Sequence, residues 1–209
     1  MAGCLTAGAV IGGLVTGLVV HGSDVKHTAI SEKEAEVIYG SDADVRPAAK
    51  EDAFYWKRND EKFVPLNVDM DEDTQKFVYA LSSAYHIDWT LPMAVIGAES
   101  EFKADTVSST NDYGLMQINK SNHSWLTADL GVTDFLDAKQ NIRSGLYILH
   151  GLYEKYGNDT NKVLIAYNMG EGNAEELFSG GVKSTPYSQK VTALQKEYKN
   201  QLKGENNNE

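Results

Sequence analysis

The sequence predicts an all-α domain, α+β at most, with one long polar loop, preceded by an N-terminal apolar helix and a stalk. Three observations predict this. Apolar residues recur every three or four positions over several stretches after residue 69. Alternating apolar–polar runs, the mark of half-buried strands, are scarce. Residues 1–22 carry no Asp, Glu, Lys or Arg, although the 209-residue chain holds 19 Lys and Arg and 30 Asp and Glu.

The N-terminal segment is apolar from residue 5 to residue 20. Those sixteen residues make a helix of roughly 24 Å at about 1.5 Å each, slightly short of a ~30 Å hydrocarbon core. Adding residues 1–4, 21 and 22 makes a span feasible. Residues 1–22 are therefore read as a membrane anchor or a signal segment, with a buried apolar helix as the third reading. No basic residue precedes the apolar run, and Val20-His21-Gly22 is a poor small-x-small cleavage site. Gly8-x-x-x-Gly12 and Gly13-x-x-x-Gly17 would allow close helix approach or are generic small membrane residues.

Residues 23–68 read as a stalk or linker. Ser31 to Glu34 has a capping-box pattern, and Pro47 opens a second short helical stretch through Phe54, Tyr55 and Trp56. The main domain is placed at 69–203, with a polar tail at 204–209. Asp69 and Glu72 have the spacing of a helix cap and its partner, ahead of Phe77, Val78, Leu81 and Ala84. His86 to Trp89 breaks that helix. Thr90 is positioned to cap the next, with Pro92 in its first turn and Leu91, Ala94, Val95 and Ala98 as its stripe. Residues 103–127 are rich in Ser, Thr, Asn and Asp and read as irregular, with room for a small hairpin. An amphipathic helix follows at about 138–156. Thr160 is positioned to cap a helix carrying Val163, Leu164, Ala166 and Tyr167, and a last helix runs from about 187 to 202.

Composition excludes several functions. Hydrophobic residues at 42% and charged residues at 23% exclude wholesale disorder and a multi-span membrane protein. A net charge of −11 argues against nucleic acid, which needs clustered Lys and Arg. The one cysteine, Cys4, excludes a disulfide within the chain and a Cys-based zinc site. The five histidines show no metal-ligand spacing, and no phosphate-binding glycine pattern or Gly-x-Ser-x-Gly elbow occurs. No metal or cofactor is expected.

Glu99 is the candidate for chemistry. It ends an apolar helix beside Val95, Ile96 and Ala98, where apolar surroundings disfavour ionisation and raise the pKa. A carboxyl group still protonated near neutral pH can protonate a leaving oxygen. Position alone favours a helix-edge glutamate, solvated or paired with Lys103.

The neighbouring motifs decide between these readings. Glu99-Ser100-x-Phe102 is followed by Ser108, then Gly114-Leu115-Met116-Gln117-Ile118-Asn119, then Ala166-Tyr167-Asn168-Met169-Gly170-x-Gly172, then Tyr187-Ser188-x-x-Val191. In this order the blocks resemble the lytic transglycosylases of the soluble (SLT) type, a lysozyme-like family acting on bacterial peptidoglycan. The resemblance covers about residues 70–200. It implies a lysozyme-like helical domain that cleaves the β-1,4 bond between N-acetylmuramic acid and N-acetylglucosamine and leaves a 1,6-anhydromuramyl product. It implies Glu99 as the single catalytic carboxyl, acid and then base. Ser108, Met116, Gln117, Tyr167, Asn168 and Tyr187 are implied as substrate-binding residues: Met116 and Gln117 line the cleft, and Tyr167 approaches the carboxyl. The implied partners are peptidoglycan strands, the membrane through residues 1–22, and a secretion, conjugation or phage assembly. The implied location is the cell envelope, extracytoplasmic, anchored or secreted.

Two alternatives stay open. Asp112-Tyr113-Gly114 with Gln117-Ile118-Asn119 also resembles a stretch of animal-type lysozymes whose aspartate is a second carboxylate. Asp112 is thus a candidate second carboxylate for a hydrolytic lysozyme, or a loop residue capping a turn. A cell-wall-binding module without catalysis is the third reading. Glu101 and Asp105 are unassigned carboxyls nearby, and Trp89, Tyr113 and Trp125 are candidates for sugar stacking or for core packing.

Deleting residues 1–22 is expected to leave a soluble, helical protein, because no core residue of the 69–203 domain lies there. Circular dichroism checks this. Aggregation or loss of helicity would make the segment part of the fold.

Overall fold

Aspartates start four of the helices. In the computed structural model, which describes residues 63–205, helix α1 (Glu72–Ala84) begins at Asp71, whose Oδ1 accepts from Thr74 N at 2.8 Å. Helix α2 (Thr90–Glu99) begins behind Asp88, whose Oδ1 accepts both the N–H (3.0 Å) and the hydroxyl (2.6 Å) of Thr90. Asp137 and Asp159 cap the later helices α4 (Ala138–Tyr156) and α5 (Thr160–Met169) through Gln140 N and Lys162 N. Each carboxylate satisfies an N–H that the helix leaves unpaired and opposes the positive end of the helix dipole. The sequence assigns three of these caps to Asp69, Thr90 and Thr160. The correction has one cause: an aspartate stood within two residues each time, and Thr90 gives its own hydroxyl to Asp88.

Helix α2 is the centre of the fold. Every residue from Thr90 to Ile96 is buried, so this helix has no solvent face over two turns. It packs most extensively along the C-terminal helix α7 (Pro186–Glu205). The approach is close at Gly97, where a Cβ would lie 2.8 Å from Tyr198 Oη and 3.3 Å from Phe102 Cζ. Lys199 of α7 also pairs with the capping Asp88 at 2.7 Å. Helix α4 buries Ile142, Leu146, Leu149 and Leu152 along one face, packing on α1 and α5.

Between α2 and α4 the chain forms a hairpin of two two-residue strands, β1 (Asp112–Tyr113) and β2 (Ile118–Asn119). A tight turn at 120–122 leads into α3 (His123–Leu130), closed by Gly131 at φ 67°. Helix α3 lies partly in the stretch that the sequence marks as irregular; Leu126 and Leu130 bury one side of it. Helix α6 (Glu171–Ser179), which the sequence analysis does not assign, starts directly after Gly170, where the chain turns at φ 78°. Its polar surface hides its periodicity. It packs mainly on α5 and is also tied to α4, whose Lys155 reaches Glu171 (2.5 Å) and Glu175 (3.3 Å) and whose Tyr156 packs edge-on against Phe178. The described residues are therefore mostly helical with one small hairpin.

Residues 63–68, assigned to the stalk by the sequence, pack on the domain. Leu66 is buried, its N–H donates to Gln75 Oε1 (2.8 Å), and its carbonyl accepts from Gln75 Nε2 (3.1 Å). Phe63 packs against Tyr79 and Trp89, which makes Trp89 a packing residue at the start of α2. The anchor or signal reading of residues 1–22, the rest of the stalk and residues 206–209 lie outside the described residues. Among those described, no helix is long and apolar enough to cross a membrane.

One buried side chain joins the hairpin to the helices. Asn141 on α4 accepts from Met116 N (2.7 Å) and donates to the carbonyls of Tyr113 (2.7 Å) and Phe135 (2.8 Å). Asn141→Ala orphans three backbone groups, each costing about 1–3 kcal/mol when buried. Equilibrium urea unfolding is expected to report a loss of about 3 kcal/mol.

Candidate active site

Glu99 is the last residue of α2. Because Leu91 to Ile96 are locked in the core, the carboxyl at the end of the same helix is fixed with them. Glu99 is half-buried, and Tyr187 of α7 donates its hydroxyl to Glu99 Oε1 at 2.6 Å. Four influences act on its acidity. Burial raises its pKa and is the largest; the Tyr187 hydrogen bond lowers it; the charge of Asp112 raises it; the charge of Lys190 lowers it. The net result lies above the ordinary carboxyl value. Tyr187 and Tyr167 are both pushed well above the ordinary phenol value, chiefly by burial and next by the negative charge of Glu99, so both stay neutral donors.

Ser100 follows the carboxyl and turns inward. Its hydroxyl donates to Leu115 O at 2.8 Å, tying the end of α2 to the hairpin. The chain then reverses through two consecutive left-handed residues, Glu101 (φ 52°) and Phe102 (φ 65°), which brings the Phe102 ring back over Gly97. Lys103 pairs with Glu101 at 2.9 Å in solvent, not with Glu99. Residues 106–119 are braced internally. The Thr106 and Gly114 carbonyls accept from Gln117 Nε2 at 3.2 and 2.8 Å, and Thr106 O also accepts from Gly114 N. Gly114 itself sits at φ 73° with Phe135 O only 2.6 Å from where a Cβ would stand, so the position admits no side chain.

Asp112 is enclosed by donors. Its Oδ2 accepts from Ser108 Oγ (2.7 Å) and Thr110 Oγ1, and its Oδ1 accepts from Asn119 Nδ2 (2.7 Å). Burial raises its pKa, but the hydrogen bonds from Thr110, Ser108 and Asn119 outweigh this and hold the carboxylate below its ordinary value. These partners are side chains, whereas the sequence suggests turn amides. Asp112 is near enough for its charge to act on Glu99, and both its oxygens accept hydrogen bonds within its own loop.

The other sequence-predicted residues separate. Ser108 belongs to the Asp112 cluster. Met116 is fully buried: a Cβ on Gly145 of α4 would collide with its thioether, with Cε at 2.7 Å, so its side chain fills the core and does not line a cleft. Its carbonyl still matters, because Tyr167 donates to it at 2.9 Å. Thus the tyrosine bonded to the carboxyl is Tyr187, and Tyr167 braces the hairpin from α5. Gln117 uses its amide nitrogen in the loop, and Asn168 is exposed next to Tyr167. Sequence reasoning missed Asn141 and the site role of Ser100; Ser100 lay inside a recognised motif, whereas Asn141 carried no signal. Trp125 bonds Asn122 through its indole nitrogen, and Tyr113 packs edge-on against His123. Among the described residues no group of three or more His, Cys, Asp or Glu could hold a metal ion.

Comparison with known proteins bears on the fold. The transglycosylase SLT domain model matches residues 77–184. The membrane-bound lytic murein transglycosylase F of Enterobacter sp. (strain 638) is 32% identical over 132 residues, covering 54% of this chain and 25% of that protein. Among solved structures, the lytic transglycosylase Slt of Pseudomonas aeruginosa, in an inactive mutant form, superposes with a TM-score of 0.56 at 18% identity, over 65% of this chain and 25% of that one. The 70 kDa soluble lytic transglycosylase of Escherichia coli gives a TM-score of 0.52 at 23% identity, over 60% and 23%. These likenesses establish the fold. The chain spans about a quarter of the length of each relative.

The raised pKa of Glu99 has a consequence for stability. Below the ordinary value of 4.5 the carboxyl is protonated in both folded and unfolded chains, and burial carries no ionic cost. As pH rises through the folded pKa, stability is lost, because the unfolded chain ionises more readily. Glu99→Gln is therefore expected to melt above the wild type at neutral pH and level with it near pH 4. Thermal melts across that range check the sign.

Proposed function

This chain belongs to the transglycosylase SLT domain family, and from that premise we propose that it is a peptidoglycan lytic transglycosylase acting in the cell envelope. One observation carries the reading. A single half-buried carboxyl with a raised pKa, Glu99, is held by a neutral tyrosine, while the nearest candidate second carboxylate, Asp112, is occupied by three side-chain donors. That is a site with a proton donor and no free protein nucleophile.

The reaction follows from those roles. Glu99 protonates the oxygen bridging N-acetylmuramic acid and N-acetylglucosamine, and the glycosidic bond breaks as positive charge develops at the anomeric carbon. The carboxylate so formed takes the proton of the muramoyl 6-hydroxyl as that oxygen bonds to the anomeric carbon. The products are a 1,6-anhydromuramyl end and a free 4-hydroxyl, and Glu99 is protonated again. No water is consumed and no group leaves the protein. The negative charge of Asp112 stabilises the cationic intermediate from a distance. Exposed Asn168 and the Gln117 side chain contact sugar groups. Residues 1–22 anchor the chain to the membrane, a reading supported by the word membrane-bound in the name of the Enterobacter relative.

Digestion of purified sacculi followed by mass spectrometry tests this. Released muropeptides are expected to be one water lighter than hydrolysis products. Glu99→Gln, which keeps size but loses the transferable proton, is expected to lower turnover by at least roughly 10²–10⁴-fold. Asp112→Asn is expected to keep forming anhydro ends at a reduced rate. Reducing ends in the wild-type digest, together with loss in Asp112→Asn as deep as in Glu99→Gln, would establish a hydrolase instead. Binding to sacculi with no fragment released would establish a wall-binding module.

A further inference from the structure

We propose that Lys190 is a positioning residue for Glu99, acting through the carbonyl of the preceding residue and through its own charge. This rests on the reading of Glu99 as the catalytic acid. Tyr187 and Lys190 stand three residues apart on α7 and so share a face. Tyr187 donates to the Glu99 carboxyl at 2.6 Å, and Lys190 Nζ donates to Ala98 O at 2.8 Å. The first turn of α7 thus grips two consecutive residues of α2, one by its side chain and one by its backbone. Ala98 O is among the last four carbonyls of α2, which have no N–H partner within the helix. An ammonium group there also opposes the negative end of the helix dipole.

The charge of Lys190 acts on Glu99 and on exposed Glu101. Its amine makes no ion pair among the described residues, in contrast to Lys103 and Lys199 close by in the fold. The groups acting on Glu99 come from three elements. Asp112 in the hairpin opposes its ionisation. Tyr187 and Lys190 on α7 favour it. Tyr167 on α5 is neutral and bonded to Met116 O. Lys190 therefore counters Asp112 across the carboxyl, and its removal leaves burial and Asp112 opposed by Tyr187 alone. The proton then binds more tightly, and the end of α2 loses one of these two hydrogen bonds to α7.

The experiment uses the full chain with Lys190→Met and Lys190→Arg, assayed on sacculi across pH. In Lys190→Met the alkaline limb of kcat is expected to move to higher pH. The maximal kcat is expected to fall by up to about tenfold, because the carboxyl is less well oriented, with KM nearly unchanged. Lys190→Arg, which keeps charge and reach, is expected to return the limb to its wild-type place. The Glu99 carboxyl resonance, followed by carbon NMR in chain labelled at glutamate, is expected to titrate at higher pH in Lys190→Met than in wild type. That readout needs no turnover, so it separates this inference from the activity itself. A wild type that cleaves no glycan overturns the functional reading alone. An unmoved resonance and an unmoved limb overturn the role of Lys190, and a rise in KM with kcat and limb intact makes Lys190 a substrate contact instead.

Discussion

Holding one carboxyl group in a poorly solvated place is the constraint on which the rest of this structure depends. Such a group is held only if its backbone is held, and α2 does this by burying Leu91 to Ile96 on all sides. Burying a large aliphatic side chain contributes about 1.5–3 kcal/mol. Leu91, Met93, Val95 and Ile96 together therefore outweigh the cost of keeping Glu99 half-buried. Helix α7 is then placed by the core contact at Gly97 and Tyr198, and its first turn inherits its position against Glu99. The chemistry is a by-product of helix packing in the sense that the same contacts fix both.

The hairpin loop meets a different demand. A polar loop beside a reacting carboxyl cannot rely on apolar burial, so it is fixed by hydrogen bonds made within it and to the helices. Ser108, Thr110 and Asn119 hold Asp112; Gln117 holds the backbone of Thr106 and Gly114; Ser100, Asn141 and Tyr167 hold Leu115, Met116 and Tyr113. Helices α4 and α5 and the residue that follows α2 thus reach Tyr113, Leu115 and Met116. A charged carboxylate enclosed by neutral donors keeps its charge without becoming reactive. The loop can therefore carry negative potential to Glu99 while offering no nucleophile.

Legibility in the sequence followed the range of the interaction. The span of α4 was readable because its face repeats Ile142, Leu146, Leu149 and Leu152 within one helix. Glu99 was singled out by the motif blocks that follow it in the chain, since its apolar neighbours alone also fit a solvated helix-edge glutamate. Helix α6 was not readable, because its packing on α5 and its ties to Lys155 and Tyr156 of α4 leave no apolar repeat in its own residues. Asn141 reads as an ordinary polar position of an amphipathic helix, and its partners lie up to 28 residues away. Met116 reads as cleft-lining until Gly145 is seen to leave a hole for its thioether. Assigning the carboxyl contact to Tyr187 and the hairpin contact to Tyr167 depends on helix placement, which no local pattern encodes.

The left-handed pair after Glu99 bears on how this sequence can vary. A non-glycine residue in that conformation costs on the order of 1–2 kcal/mol, and Glu101 and Phe102 bear this cost side by side. The two are not equivalent. Glu101 is exposed and meets Lys103 only in solvent, so glycine there relaxes the backbone and forfeits little. Phe102 covers Gly97 with its ring, so glycine there relaxes the backbone and uncovers the closest approach of α2 to α7. Adjacent residues with the same backbone geometry thus face opposite mutational tolerance: drift toward glycine is open at the first and closed at the second.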